Sequence, residues 1–127
     1  MLVTMPWKRG AVPGAGPACV ISATRTEIAR SRDVPGISVG GLSLRARWAE
    51  NPGSIGMQIA MDLRHRVSWS LSAWTTEDDL DRFVRSEHHL RVVAPYRAHV
   101  MVAATRWRAE QLDVDQAWDE ARRRLRP

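Results

Sequence analysis

One cysteine, one lysine, one asparagine, one phenylalanine and one tyrosine stand among 127 residues, and each scarcity closes off a chemistry. Cys19 alone forms no intramolecular disulfide and supplies no cysteine zinc cluster; inside the apolar run 18–23 it reads as a small core residue. The four histidines, at 65, 88, 89 and 99, include no pair with the i, i+4 helical spacing of a zinc site, so no metal is predicted. No apolar run reaches the ~18 residues of a spanning helix, and no basic-then-apolar leader is visible; a cytoplasmic protein without a membrane partner is the expectation. Zinc-finger, homeodomain and RNA-recognition signatures are missing too, and no nucleic-acid partner is expected. No internal repeat organises the chain.

What is present suits one domain. The apolar fraction is 44%, enough for a core, and a chain this small gains from pairing with a second copy. Six tryptophans dominate the aromatics, and each needs both a large contact surface and a place for its indole N–H. The net charge is +5, carried by arginines apart from Lys8. Its cations are interspersed with acids and not striped. That fits an arginine-rich coding habit, or a preference for a small anion such as a carboxylate or phenolate.

Residues 1–16, with the Gly/Pro-rich AVPGAGP, read as a flexible N-terminal segment in which 1–5 is an edge strand or a tail. A β-branched run over 18–27 predicts a strand, and apolar spacing over 37–50 a helix weakened by Gly40-Gly41. The turn Asn51-Pro52-Gly53 stops it. Clean alternation over 54–64 and 67–74 predicts a hairpin whose second strand carries Ser68, Ser70, Ser72 and Trp74 on one face. Three serines beside a tryptophan make either a solvent face or the floor of a pocket. Thr76 with Asp79 three residues on predicts a capped helix that runs to Pro95, and 99–108 a further strand. An apolar stripe over 113–126 predicts a terminal helix. The order is βαββαβ plus an extra C-terminal helix. It predicts an α+β, ferredoxin-like core over 17–108 with its helices on one face of an antiparallel sheet.

The block Ser72-Ala73-Trp74, Leu80, Phe83-Val84-Arg85-Ser86 and His89, with the turn before it, resembles the antibiotic-biosynthesis-monooxygenase-like superfamily over roughly Pro52 to Trp107. The resemblance implies a dimeric α+β barrel in which two protomers pair sheet to sheet, each with a cavity between sheet and helices. It also implies small-molecule chemistry that differs between branches: cofactor-independent oxygenation, haem degradation, cyclisation, isomerisation or dehydration. The oxygenase and haem-degrading branches use an Asn–Trp–His set. Trp74 and His89 match the last two; Asn51 sits in a turn, and the first strand offers Ser22 and Thr24 instead.

The catalytic candidates are therefore His89, His88 and Trp74. On one unbroken helix His88 shares the stripe of Leu80, Phe83 and Val84, whereas the family-like spacing selects His89, and spacing leaves the two as competitors. Either imidazole suits a general base or an axial haem ligand. Trp74 is a core anchor or a stacking surface for an aromatic ring. Ser70, Ser72 and Phe83 are candidate substrate contacts, with Arg64 and Arg106 as clamps for a carboxylate or phenolate. The expected function is a small homodimeric enzyme of secondary metabolism acting on an apolar aromatic or polyketide-like molecule. Cofactor-independent oxygenation by dioxygen comes first. Cyclisation, isomerisation or dehydration, haem binding, and a non-catalytic ligand-binding dimer are the alternatives.

Overall fold

A computed structural model describes residues 2–13 and 18–126. Among the described residues run ten regular elements: β1 (Leu2–Thr4), β2 (Lys8–Arg9), β3 (Cys19–Ile28), α1 (Val34–Ala46), β4 (Ser54–Asp62), β5 (Val67–Trp74), α2 (Glu77–Val84), α3 (Glu87–Val93), β6 (Val100–Ala109) and α4 (Val114–Arg124). Short 3₁₀ turns cover Ser31–Asp33, Trp48–Glu50 and Ala94–His99. The four long strands lie antiparallel in the order β4-β5-β3-β6, the ferredoxin-like arrangement, with β1 and β2 both added to the outer edge of β4.

The alternation in the sequence becomes two unlike faces. Val20, Ser22, Thr24 and Thr26 of β3 stand opposite Trp74, Ser72, Ser70 and Ser68 of β5, on the face that α1, α2 and α3 cover. Cys19, Ile21, Ala23, Leu71 and Ala73 point the other way, where Ala117, Ala121 and Leu125 close the main core. The core helices α1, α2 and α3 share one face as expected, and the extra C-terminal helix α4, whose side was not predicted, covers the other. An antiparallel sheet with apolar residues on both faces must be covered twice, and the α4 stripe supplies the second cover. Burial holds the Cys19 thiol above its ordinary range, against the opposing pull of Arg108.

Two expectations change. Residues 2–13 are not a loose tail: beyond the β1 and β2 pairings, Met5, Gly10 and Val12 donate their backbone N–H to Ile59, Ile55 and Ser54. Residue 1 and residues 14–16 of that expected segment lie outside the described residues. The strand edge offered by β4 explains the docking, because its unpaired backbone groups accept any extended neighbour. The helix predicted from Thr76 to Pro95 is two helices. Thr76 caps α2 by accepting from the Asp79 amide, and Ser86 caps α3 by accepting from the His89 amide. A serine able to satisfy free N–H groups starts a new helix where the old one ends.

Gly40 and Gly41 weaken α1 locally but let it approach its neighbours. A β-carbon at Gly40 would stand 2.8 Å from Val92 of α3, and one at Gly41 3.7 Å from Ile59 of β4. The first is a contact that only glycine permits.

Candidate functional site

The break between α2 and α3 decides which histidine faces what. Phe83 closes the small aromatic core: its ring centroid lies 4.9 Å from Trp48 and 5.4 Å from Trp74. His89 packs on the open side of Phe83, centroid to centroid 4.9 Å. Along an uninterrupted helix that position would have belonged to His88; the Ser86 cap resets the phase and brings His89 round instead. His88 turns to α1, where its Nε2 lies 3.3 Å from the Ser43 hydroxyl. That hydroxyl already donates to the Gly40 carbonyl, so the imidazole is the donor.

His89 borders a cavity of about 300 Å³ between α1, α3, the 3₁₀ turn after it and the sheet. Ile37, Val92, Val93, Val100 and Val102 make most of its wall, and Thr26, Tyr96, Arg97 and His89 supply the polar groups. A largely apolar pocket with a few polar groups is the usual form of a small-molecule site. The His89 Nδ1 lies 3.0 Å from the Val84 carbonyl, which only accepts, so Nδ1 carries the proton and Nε2 keeps the lone pair in the neutral ring. Among the described residues none donates to that Nε2. Burial holds the imidazole below the ordinary histidine range; the Val84 bond opposes this and the neighbouring His88 adds to it. The result is a neutral imidazole with a fixed tautomer, in the state of a base.

The other predicted residues are placed as follows. Trp74 is completely buried, between Trp48 and Phe83, with its indole N–H donated to the Ser72 hydroxyl at 2.9 Å. It presents no ring face to the cavity, which corrects its expected role as a stacking surface: the helical layer fills the space above that end of the strand. Ser72 is occupied as the acceptor of that bond, and Ser70, cross-strand from Thr24 and Ile59, does not line the cavity. Phe83 backs His89 and is not among the lining residues. Arg64 is exposed in the β4–β5 turn. Arg106 ties β6 to α2 through Asp81 at 2.9 Å and Glu77 at 3.7 Å, and neither arginine lines the cavity beside His89. Sequence reasoning missed Tyr96 and Arg97, because Pro95 read only as a helix end. Their signal was the chain's single tyrosine beside an arginine in the short connection to β6.

A larger hollow, about 750 Å³, opens on the opposite face of the sheet near Trp69 and Met101. Two ion pairs occupy its wall, Arg25 with Glu27 at 2.7 Å and His65 with Asp62 at 2.9 Å; the cavity beside His89 has the more apolar wall and is the better site. Among the described residues no three His, Cys, Asp or Glu side chains converge to hold a metal ion, and no helix is long and apolar enough to cross a membrane.

No protein-family model matches this sequence, and no curated protein matches it. Solved structures match its fold. A conserved protein from Methanosarcina mazei superposes with a TM-score of 0.63 at 15% identity, covering 72% of this chain and 92% of that one. SnoaB, a cofactor-independent oxygenase from Streptomyces nogalater, gives 0.59 at 14% identity over 70% and 90% of the two chains. An antibiotic biosynthesis monooxygenase gives 0.56 at 15% identity over 74% and 97%.

Proposed function

With an α+β fold shared with antibiotic-biosynthesis-monooxygenase-like proteins as the premise, we propose that this chain is a small enzyme acting on a phenolic or polyketide-like aromatic molecule held in the α1–α3 cavity. The single observation that carries the reading is His89: a partly buried, neutral imidazole of fixed tautomer at the wall of an apolar cavity. Its Nε2 takes the proton of a bound phenol, and Arg97 or the Tyr96 hydroxyl stabilises the negative oxygen. In its carbanion form the electron-rich ring reacts with dioxygen. One oxygen atom stays on a ring carbon as a new carbonyl and the other leaves as water, whose two hydrogens are the phenol proton returned by His89 and the hydrogen of the attacked ring carbon. The substrate supplies the electrons, so dioxygen is the only co-substrate the scheme needs.

The experiment is dioxygen consumption with polycyclic phenols, wild type against His89→Gln. Loss of a positioned base lowers the rate by about 10²–10⁴-fold; an unchanged rate refutes the assignment. The same lone pair is where a haem iron would bind, since an imidazole held by a backbone carbonyl is also the usual pattern of a metal-ligating histidine. A Soret shift on hemin titration that disappears in His89→Ala would replace oxygenation by haem binding. The proposal includes a homodimer, supported by the half of the outer sheet face that α4 leaves open, where Met101 is 72% exposed. A monomer in sedimentation velocity at micromolar concentration would remove that part.

A further inference from the structure

A second, more apolar cavity of about 190 Å³ lies on the other side of α1, under Ser38, Gly41 and Leu42 and over β4 and the N-terminal strand. Ile37 is the one residue that lines both. The floor beneath it is continuous. Val102, Thr26, Ser68, Met61 and Val3 are successive cross-strand partners, one from each of five neighbouring strands. The first two line the His89 cavity and the last three the second cavity. With about 4.8 Å between strands, that row spans about 19 Å. Its middle is the Thr26–Ser68 pair, and the Ile37 side chain hangs from α1 between the two spaces.

Resting on the reading of the His89 cavity as the substrate site, we propose that the two cavities are lobes of one site, and that Ile37 sets what passes between them. The phenol ring lies beside His89, and an unbranched apolar tail runs along the row, under Ile37, into the outer lobe. A branched or polycyclic tail stops there. The outer lobe suits an apolar tail because its wall is aliphatic, with two serines as its hydroxyl groups. Ile37 is thus a specificity-determining residue, and the substrate class narrows to phenols with a slender apolar extension.

Calorimetric titration with three probes, 4-ethylphenol, 4-octylphenol and 4-(1-adamantyl)phenol, tests this. Wild type binds the octyl compound at least about tenfold tighter than the ethyl one and discriminates against the adamantyl one. Gly41→Leu fills the outer lobe from its roof, where a β-carbon meets only Ile59 at ordinary contact distance. That variant loses the octyl advantage and keeps ethylphenol affinity within about twofold. Met61→Trp blocks the same lobe from the floor and gives the same result if Gly41→Leu does not fold. Ile37→Ala admits the adamantyl compound, tightening it at least about tenfold. If ethylphenol binds, and its binding is lost in Val92→Trp, yet none of the other substitutions changes the tail preference, the lobes are separate and this proposal falls while the cavity assignment stands. If ethylphenol does not bind, or Val92→Trp leaves its binding unchanged, the cavity assignment falls and this proposal with it.

Discussion

Gly40 and Gly41 are adjacent in one helix, and replacing each by alanine should change stability in opposite directions. Both substitutions remove the same backbone freedom and gain about 0.5–1 kcal/mol of helix propensity. They differ in what the new methyl group meets. At Gly41 it lies 3.7 Å from the Ile59 Cδ1, within the normal range for two carbons, so the gain stands. At Gly40 it lies 2.8 Å from the Val92 Cγ1, roughly 1 Å inside that range. Valine in a helix has one favoured rotamer and cannot swing aside, so α1 and α3 must separate, at the ~1–3 kcal/mol typical of overpacking. The expected net is a gain of about 0.5–1 kcal/mol for Gly41→Ala and a loss of up to ~2 kcal/mol for Gly40→Ala. For a chain this size each kcal/mol moves Tm by about 3–5 °C. Urea titrations at constant m-value read both, with thermal melts as a second measure. Equal stabilisation by the two alanines would refute the close approach of α1 to α3, and with it the described shape of the cavity whose wall includes Val92.

Two other perturbations bear on the site. Because His89 is held below its ordinary range, the folded state binds its proton less readily than the unfolded chain. The corresponding stability is complete above the unfolded value near 6.5 and is lost as pH falls through the lower folded value. Urea midpoints at pH 7.5 and 5.5 should therefore differ more in wild type than in His89→Gln, and an equal difference in both would contradict the burial of the ring. Trp74→Phe should cost about 1–3 kcal/mol, from lost volume and a stranded Ser72 hydroxyl, yet leave phenol affinity within about twofold. A selective loss of affinity in a stably folded variant would restore Trp74 to the binding site.

The strands were legible because their signal is strict. Alternation over 54–64 and 67–74 placed the hairpin and the serine face, except at the irregularity between Ser54 and Gly56, which turns Ile55 to the face of Ile21 while Met57 packs with Val20 and Trp74; the elements on either side followed the βαββαβ order. The second cover of the sheet was legible in its stripe but not in its side, because an amphipathic helix does not encode which sheet face it will meet. The site was half legible. His88 and His89 were singled out, but the choice between them turned on Ser86, which reads equally as a helix residue or as a cap until the chain is seen to break there. Trp74 illustrates the opposite failure. A strand-end tryptophan on a face of small residues suggests room, and the space was taken by Trp48 and Phe83, from segments 26 residues before and nine after. Long-range packing of that kind has no local pattern.

The separate capping of α2 and α3 also bears on how this chain tolerates insertions and deletions. In one continuous helix an added residue would turn everything beyond it by about 100°, carrying His89 away from its cavity. Here Ser86 starts α3 afresh, and the turn at Arg85 is the place where a change in length can be absorbed. Insertions in the last turn of α2 should be far less damaging to the His89 geometry than insertions inside α3. The two halves of the segment are free to vary in length independently, one tied to the core and the other to the cavity.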